Sequence, residues 1–174
     1  MAKGSGSGAA WAALIIALIA LGLSGYMFYT TTLKPTPKAS VYIYGGSYSA
    51  TAGSQEKVNF NKALYDSHGA FDFTTDEYTV PENGYYSIIG TVTATFLDYG
   101  QILYSMIFVN TTYFKSRSSS HVYGSSVSLT VTASCVVWLE AGWTVHLNYL
   151  ITGTGSQSIQ AGEGLTYLTI VKIE

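Results

Sequence analysis

Residues 9–29 (AAWAALIIALIALGLSGYMFY) carry no charge and no polar face at helical spacing. Small and large apolar residues alternate all the way round, whereas a soluble core helix shows a polar stripe at a 3.6-residue period. At about 1.5 Å per residue the run spans roughly 30 Å, the hydrocarbon thickness of a bilayer. The pattern predicts a transmembrane helix. From residue 39 onward the period changes to two. Alternating or β-branched runs are expected at residues 39–44, 58–64, 70–73, 77–80, 84–97, 102–109, 113–115, 127–137, 145–149 and 165–173. In the longest, Tyr86, Ile88, Gly90, Val92, Ala94 and Phe96 share one face. In residues 127–137, Val127, Leu129 and Val131 oppose Ser128, Thr130 and Thr132. Pro-Glu-Asn-Gly at 81–84 and Glu-Ala-Gly at 140–142 are turns. Eight to ten short strands with no further helix predict an all-β sandwich of jelly-roll type.

The remaining segments connect these elements. Residues 1–8 are a flexible lead, and residues 30–38 (TTTLKPTPK) are a stalk whose two prolines favour an extended spacer. Residues 45–57, 115–128 and 152–164, rich in Ser, Gly and Gln, are expected as loops, the first with a short strand at Tyr48. The ends of residues 9–29 admit three fates. A retained anchor is the leading one. A cleaved signal fits less well, because residues 21–29 offer no A-x-A site. A pilin-like reading trims a leader, Met1 to Gly4 with Lys3, ahead of a helix that bundles in a filament. Lys3 on one side against Lys34 and Lys38 on the other leaves the positive-inside rule nearly silent. The β domain itself argues for a C-terminal side outside the cell.

Composition narrows the function classes. Only 10% of residues are charged and the net charge is −2, so no basic patch suggests nucleic acid. Fifteen tyrosines supply polar surface that also suits pleated strands. The single cysteine, Cys135, forms no intrachain disulfide and lies in an apolar run, where a buried thiol is expected. An outward domain without disulfides fits a bacterial or archaeal surface protein.

Four segments, in order, resemble C1q-like domains of the C1q and tumour-necrosis-factor superfamily. Val58-Asn59-Phe60-Asn61-Lys62-Ala63-Leu64 is similar to the family's early V-x-F-x-x-x-L strand. Phe71-Asp72, Thr75-Asp76, Tyr78, Pro81 and Gly84-Tyr85-Tyr86 resemble its Y-D-x-x-T-G-x-F-x-x-P-x-x-G-x-Y-x-F signature, with Asp76 in place of the glycine. Residues 136–145 resemble V-x-L-x-x-G-D-x-V, with Trp143 in place of the aspartate. Gly164-Leu165-Thr166-Tyr167-Leu168 is similar to the closing strand motif. The resemblance spans nearly all of residues 39–174. It implies a ten-strand jelly roll that forms a homotrimer, with Tyr85, Tyr86, Tyr149 and Tyr167 as candidate interface residues. Tyrosine buries area there while its hydroxyl still finds a partner.

Catalytic chemistry is sparse. His68, His121 and His146 have no partner cysteines at zinc spacing, and no G-x-S-x-G elbow occurs. No cofactor is expected, although some members of the family bind calcium, for which Asp72, Asp76 and Asp98 are the candidate ligands. Arg117 and His121 are candidate ligand-loop residues, and Asn110-Thr111-Thr112 is a glycosylation sequon. Together these imply a non-enzymatic, membrane-anchored recognition or adhesion module for a protein or glycan ligand. A pilin-type filament subunit and a virion membrane protein are the alternatives.

Overall fold

The computed structural model describes residues 6–28, 35–110 and 113–174. Lys3, the leader, Tyr29, residues 30–34 of the stalk, and Thr111 and Thr112 of the sequon lie outside the described residues. The chain divides into two units, up to Pro35 and from Thr36 onward. The first holds α1 (Gly6–Phe28), an uncharged helix whose residues from Trp11 to Phe28 are long and apolar enough to cross a membrane. Ser24 Oγ donates back to the Leu21 carbonyl at 3.0 Å, so this hydroxyl is satisfied within the helix.

The second unit holds the strands. These are β1 (Lys38–Tyr42), β2 (Tyr48–Thr51), β3 (Gln55–Lys57), β4 (Lys62–Asp66), β5 (Phe71–Asp72), β6 (Glu77–Thr79) and β7 (Gly84–Leu97). They continue with β8 (Ile102–Val109), β9 (Tyr113–His121), β10 (Val127–Leu139), β11 (Thr144–Ile151), β12 (Ser156–Ile159) and β13 (Tyr167–Lys172). All pairings are antiparallel. The first sheet runs β2-β12-β7-β13-β1-β4, with β10 paired along the other side of β7. The second runs β5-β6-β11-β8-β9, with β3 also on β11. Two such sheets packed face to face make the expected jelly roll.

Strand alternation positions the core. Tyr86, Ile88, Val92 and Ala94 of β7 face Leu103 and Ile107 of β8 and Val145, Leu147 and Tyr149 of β11, all buried. Gly90 belongs to the same inward row. A methyl group on its Cα would run into Leu147 Cδ1, so only glycine lets the sheets approach here. The fully buried Ser105 Oγ donates to the Gly90 carbonyl at 2.8 Å, which satisfies the serine and ties β8 to β7 at this close approach.

Phe96 departs from the expected row. Leu97 pairs with Val127 but Ala94 pairs with Leu129, so two residues of β7 oppose Ser128 alone. This is a β-bulge, which turns the chain and throws one side chain off its face. Phe96 sits at φ +60° with its ring largely in solvent.

Other expectations need correction. Residues 115–121, expected as loop, belong to β9, whose serines are paired along β8. The short strand expected at Tyr48 is β2, but the expected loops at residues 45–57 and 152–164 also contain β3 and β12, of three and four residues. Residues 58–61, expected as strand, are irregular, yet Val58 and Phe60 are still buried. Asp76 adopts φ +56°, the left-handed region that favours glycine and tolerates aspartate. Its carboxylate also accepts the Phe60 N–H at 2.8 Å, which explains why this residue substitutes for the signature glycine without loss of the turn.

Candidate assembly face and recognition tip

The outward side of the first sheet is ordered in rows by register. Tyr42, Tyr167, Thr91 and Thr132 form one row; Ser40, Thr169, Ile89 and Ser134 form the next. Lys38, Val171, Ser87 and Val136 follow, and Tyr85 opposite Trp138 closes the sheet at its end. The face therefore has two halves. Toward the C-terminal end of β7 it is hydroxylic: exposed Thr132 shares a hydrogen bond at 2.9 Å with buried Thr91, and exposed Thr130 one at 2.8 Å with buried Thr93. Toward the N-terminal end of β7 it is apolar. Tyr85 and Trp138 meet edge to face with ring centres 5.3 Å apart, and Val136 and Ile89 lie exposed beside them. Val136 is 62% exposed and Trp138 48%. Apolar side chains grouped in this way on an open sheet mark association.

The sheet ends define two poles. The chain enters at Pro37 and Lys38, whose strand pairs with the Val171 end of β13, beside the Tyr85–Trp138 pair. The opposite pole is built from the turns at residues 98–101, 122–126 and 152–155. Their backbones are joined: Gly100 N donates to Val122 O at 3.0 Å, and Val122 N to Gln101 O at 2.9 Å. The buried Gln101 side chain ties the third turn in, donating to Thr154 O at 2.9 Å while its Oε1 accepts the Asp98 N–H at 2.8 Å. Tyr99 and Tyr123 project from this pole and are the most exposed aromatic side chains described in the β domain, at 74% and 82%. His121 stacks on Tyr123, ring centres 6.3 Å apart.

The sequence-predicted residues separate on this frame. Tyr85 lies on the open face and Tyr167 half-buried within it. Tyr86 and Tyr149 do not: both are fully buried within the domain, because adjacent residues on a strand point to opposite sides. Tyr86 donates its hydroxyl to Glu82 O at 2.8 Å. Tyr149 donates to Glu56 Oε2 at 2.5 Å, and burial, followed by that carboxylate, pushes its phenol strongly upward. Trp138, Val136 and Ile89 are the interface candidates that sequence reasoning missed. The signal was present in residues 128–138, where the outward row runs Ser, Thr, Thr, Ser and then Val, Trp.

His121 belongs to the pole, but Arg117 does not. Arg117 lies along β9 with its guanidinium 5.2 Å over the Tyr104 ring. Asp98 stands at the pole, accepting the Ser126 N–H at 3.3 Å, whereas Asp72 and Asp76 belong to the β5–β6 turn, beside Lys57 midway along β11. The three are thus not brought to one place. Among the described residues no group of three His, Cys, Asp or Glu is placed to hold a metal ion. Asn110, at φ +50°, accepts the Thr144 N–H through Oδ1 at 2.9 Å and donates its own N–H to Thr144 O at 2.7 Å, clamping the end of the β8–β11 pair. Cys135 is half-buried, and burial raises its thiol pKa, opposed by the charge of Lys115.

His146, expected on a polar strand face, is covered there. It stacks on Phe108 at 5.5 Å with the rings 3° from parallel, and its Nδ1 has no hydrogen-bond partner. Glu77 Oε1 lies 3.7 Å from that nitrogen but accepts Lys57 Nζ at 2.8 Å. Burial, then the Lys57 charge, lowers the imidazole pKa against the pull of Glu77. For Glu77, burial alone would raise the carboxyl, but the Lys57 ammonium outweighs it and the net shift is downward. Both groups are depressed in the folded state, so both contribute stability that is lost as pH falls. His146 acts first, below its ordinary 6.5, and Glu77 below 4.5. The thermal midpoint is expected to drop between pH 7 and pH 5, and His146→Gln to flatten that slope; an unchanged slope in scanning calorimetry contradicts the assignment.

The order of sheets, the closing β13 beside β1 and β7, and the aromatic inner rows define a C1q/TNF-like jelly roll. Solved structures share this fold. The chain is similar to Eiger TNF from S. frugiperda (TM-score 0.61, 14% identity, covering 80% of this chain and 94% of that one). It is similar to the globular domain of zebrafish complement 1qA protein (TM-score 0.58, 20% identity, 80% and 98%). It is also similar to murine APRIL (TM-score 0.61, 13% identity, 80% and 100%). No protein-family model and no curated protein sequence matches the chain.

Proposed function

We propose that this protein is a membrane-anchored, non-enzymatic surface recognition module whose β domains associate as a homotrimer. The carrying observation is the apolar half of the outward first-sheet face, where Tyr85, Ile89, Val136 and Trp138 lie together in solvent. A second and third copy of the same face would cover it, leaving the hydroxylic half as a polar lining. The resemblance to C1q-like domains supports a three-fold rather than a two-fold arrangement.

The helix supports the anchor. Its 23 residues span roughly 34 Å at about 1.5 Å each, enough for the bilayer core. Gly22 and Gly25 leave open space on the helix surface, which lets neighbouring helices approach closely. With the chain entering the β domain at one pole, the turns bearing Tyr99 and Tyr123 occupy the other. Three such poles would bind a repetitive ligand with avidity. Protease added to intact cells is expected to remove the β domain while α1 stays in the carbonate-washed membrane fraction. Release of the whole chain into the supernatant without protease would contradict the anchor.

A further inference from the structure

Resting on that reading of the domain as a recognition module, we propose that the pole carrying Tyr99 and Tyr123 is a stacking platform for an uncharged glycan. The rings stand on a rigid base, since Gln101 ties the turns together from a buried position. Phe96 adds a third largely exposed ring at the same end of β7, held outward by the bulge at φ +60°. A bulky residue in that backbone region is unfavourable, and such strain persists where surrounding structure over-determines it, often at binding sites.

The surroundings decide the class of partner. Residues 95–101, 121–126 and 152–156 hold no Lys, Arg or Glu, and only one Asp and one His, Asp98 and His121. This excludes attraction of a polyanion, an acidic lipid surface or a basic peptide by charge. Apart from the rings, Asp98 and His121, the exposed side chains of these turns are short hydroxyls such as Ser125, Ser126 and Thr154, while Leu97 and Val122 are buried. A protein hot spot is built on a packed apolar centre, and beyond the rings these turns expose no large apolar side chain. Exposed aromatic planes on turns rich in hydroxyls and glycine backbone, with one carboxylate, match a sugar. Its C–H faces stack on rings and its hydroxyls exchange hydrogen bonds with short polar groups.

The test uses the full chain in lipid nanodiscs, passed over immobilised mannan, galactan and chitin, with heparin as the charged comparison. Wild type is expected to be retained on at least one neutral polysaccharide. Tyr99→Ala with Tyr123→Ala should weaken that retention at least about tenfold. Tyr99→Phe with Tyr123→Phe should keep most of it, because the planes remain. Both side chains are exposed, so the thermal midpoint of either variant should stay unchanged. Retention on none of the neutral polysaccharides, retention on heparin alone, or an Ala variant that binds like wild type overturns the proposal. Counting chains per nanodisc in the same preparation separates this outcome from the trimer: single chains that bind the polysaccharide would remove the trimer and leave the platform.

Discussion

Val136→Arg combined with Trp138→Arg is expected to convert the assembled protein into single chains at micromolar concentration. Both side chains point outward from β10, beside Tyr85 and Ile89 of β7, so neither substitution disturbs the core of one domain. In an assembled face they would bury two guanidinium groups against two copies of themselves. Unpaired buried charge costs several kcal/mol, and truncating a central aromatic anchor alone costs about 2 kcal/mol or more. The thermal transition of the isolated domain should survive, because the inward row Val131, Ala133 and Leu139 is untouched. Light scattering of detergent-solubilised protein reads the effect directly. A variant that keeps the wild-type mass would move the contact elsewhere. Ser128→Arg with Thr130→Arg, on the hydroxylic half, should weaken assembly less, since polar positions there lose little apolar burial.

Gly90→Val is expected to destabilise the β domain by about 3 kcal/mol, the upper end of the overpacking range. The inward row of β7 has no room at Gly90 because Leu147 of the facing sheet already fills it. Either Leu147 leaves its rotamer or the sheets separate, and the Ser105 bond to the Gly90 carbonyl is lost with the second. A domain of this size should lose roughly 6–12 °C of thermal midpoint. Leu147→Ala alone opens a cavity and costs about 2–5 kcal/mol. Together the two should cost less than their sum, because each fills or empties the other's space. Additive losses in a double-mutant cycle would show that Gly90 and Leu147 do not meet.

Much of the architecture was legible because one physical rule wrote it. Inward β7 residues from Tyr86 to Ala94 are apolar or small, and their period of two gave both the strand and its buried side. The rule stops at Phe96, since a bulge depends on pairing with Ser128 and leaves no mark in local hydropathy. The serine-rich residues 115–121 looked like loop because β9 is an edge strand with small polar side chains, held by its pairing with β8 rather than by local hydropathy. Short strands such as β3 owe their existence to pairing with β11 rather than to propensity.

The site was legible in part. Tyr86 and Tyr149 have the residue type that suits an interface, yet alternation assigns Tyr86 to the core row with Ile88. Tyr149 alternates with His146 and Asn148 in the same manner. The apolar face that does lie open was marked by the change from Ser134 to Val136 and Trp138 along one side of β10. The pole of Tyr99 and Tyr123 was not legible, because it joins three turns separated by many residues in sequence. Only the ties through Gln101 and the Gly100–Val122 backbone make them one surface.

The most direct test of the account is the number of chains in one membrane particle. The full-length protein would be extracted from its membrane in polymer-bounded nanodiscs, without detergent exchange, and weighed particle by particle. Three chains per particle, falling to one for Val136→Arg with Trp138→Arg, is the predicted result. Single chains for wild type, or open filaments of indefinite mass, would contradict it.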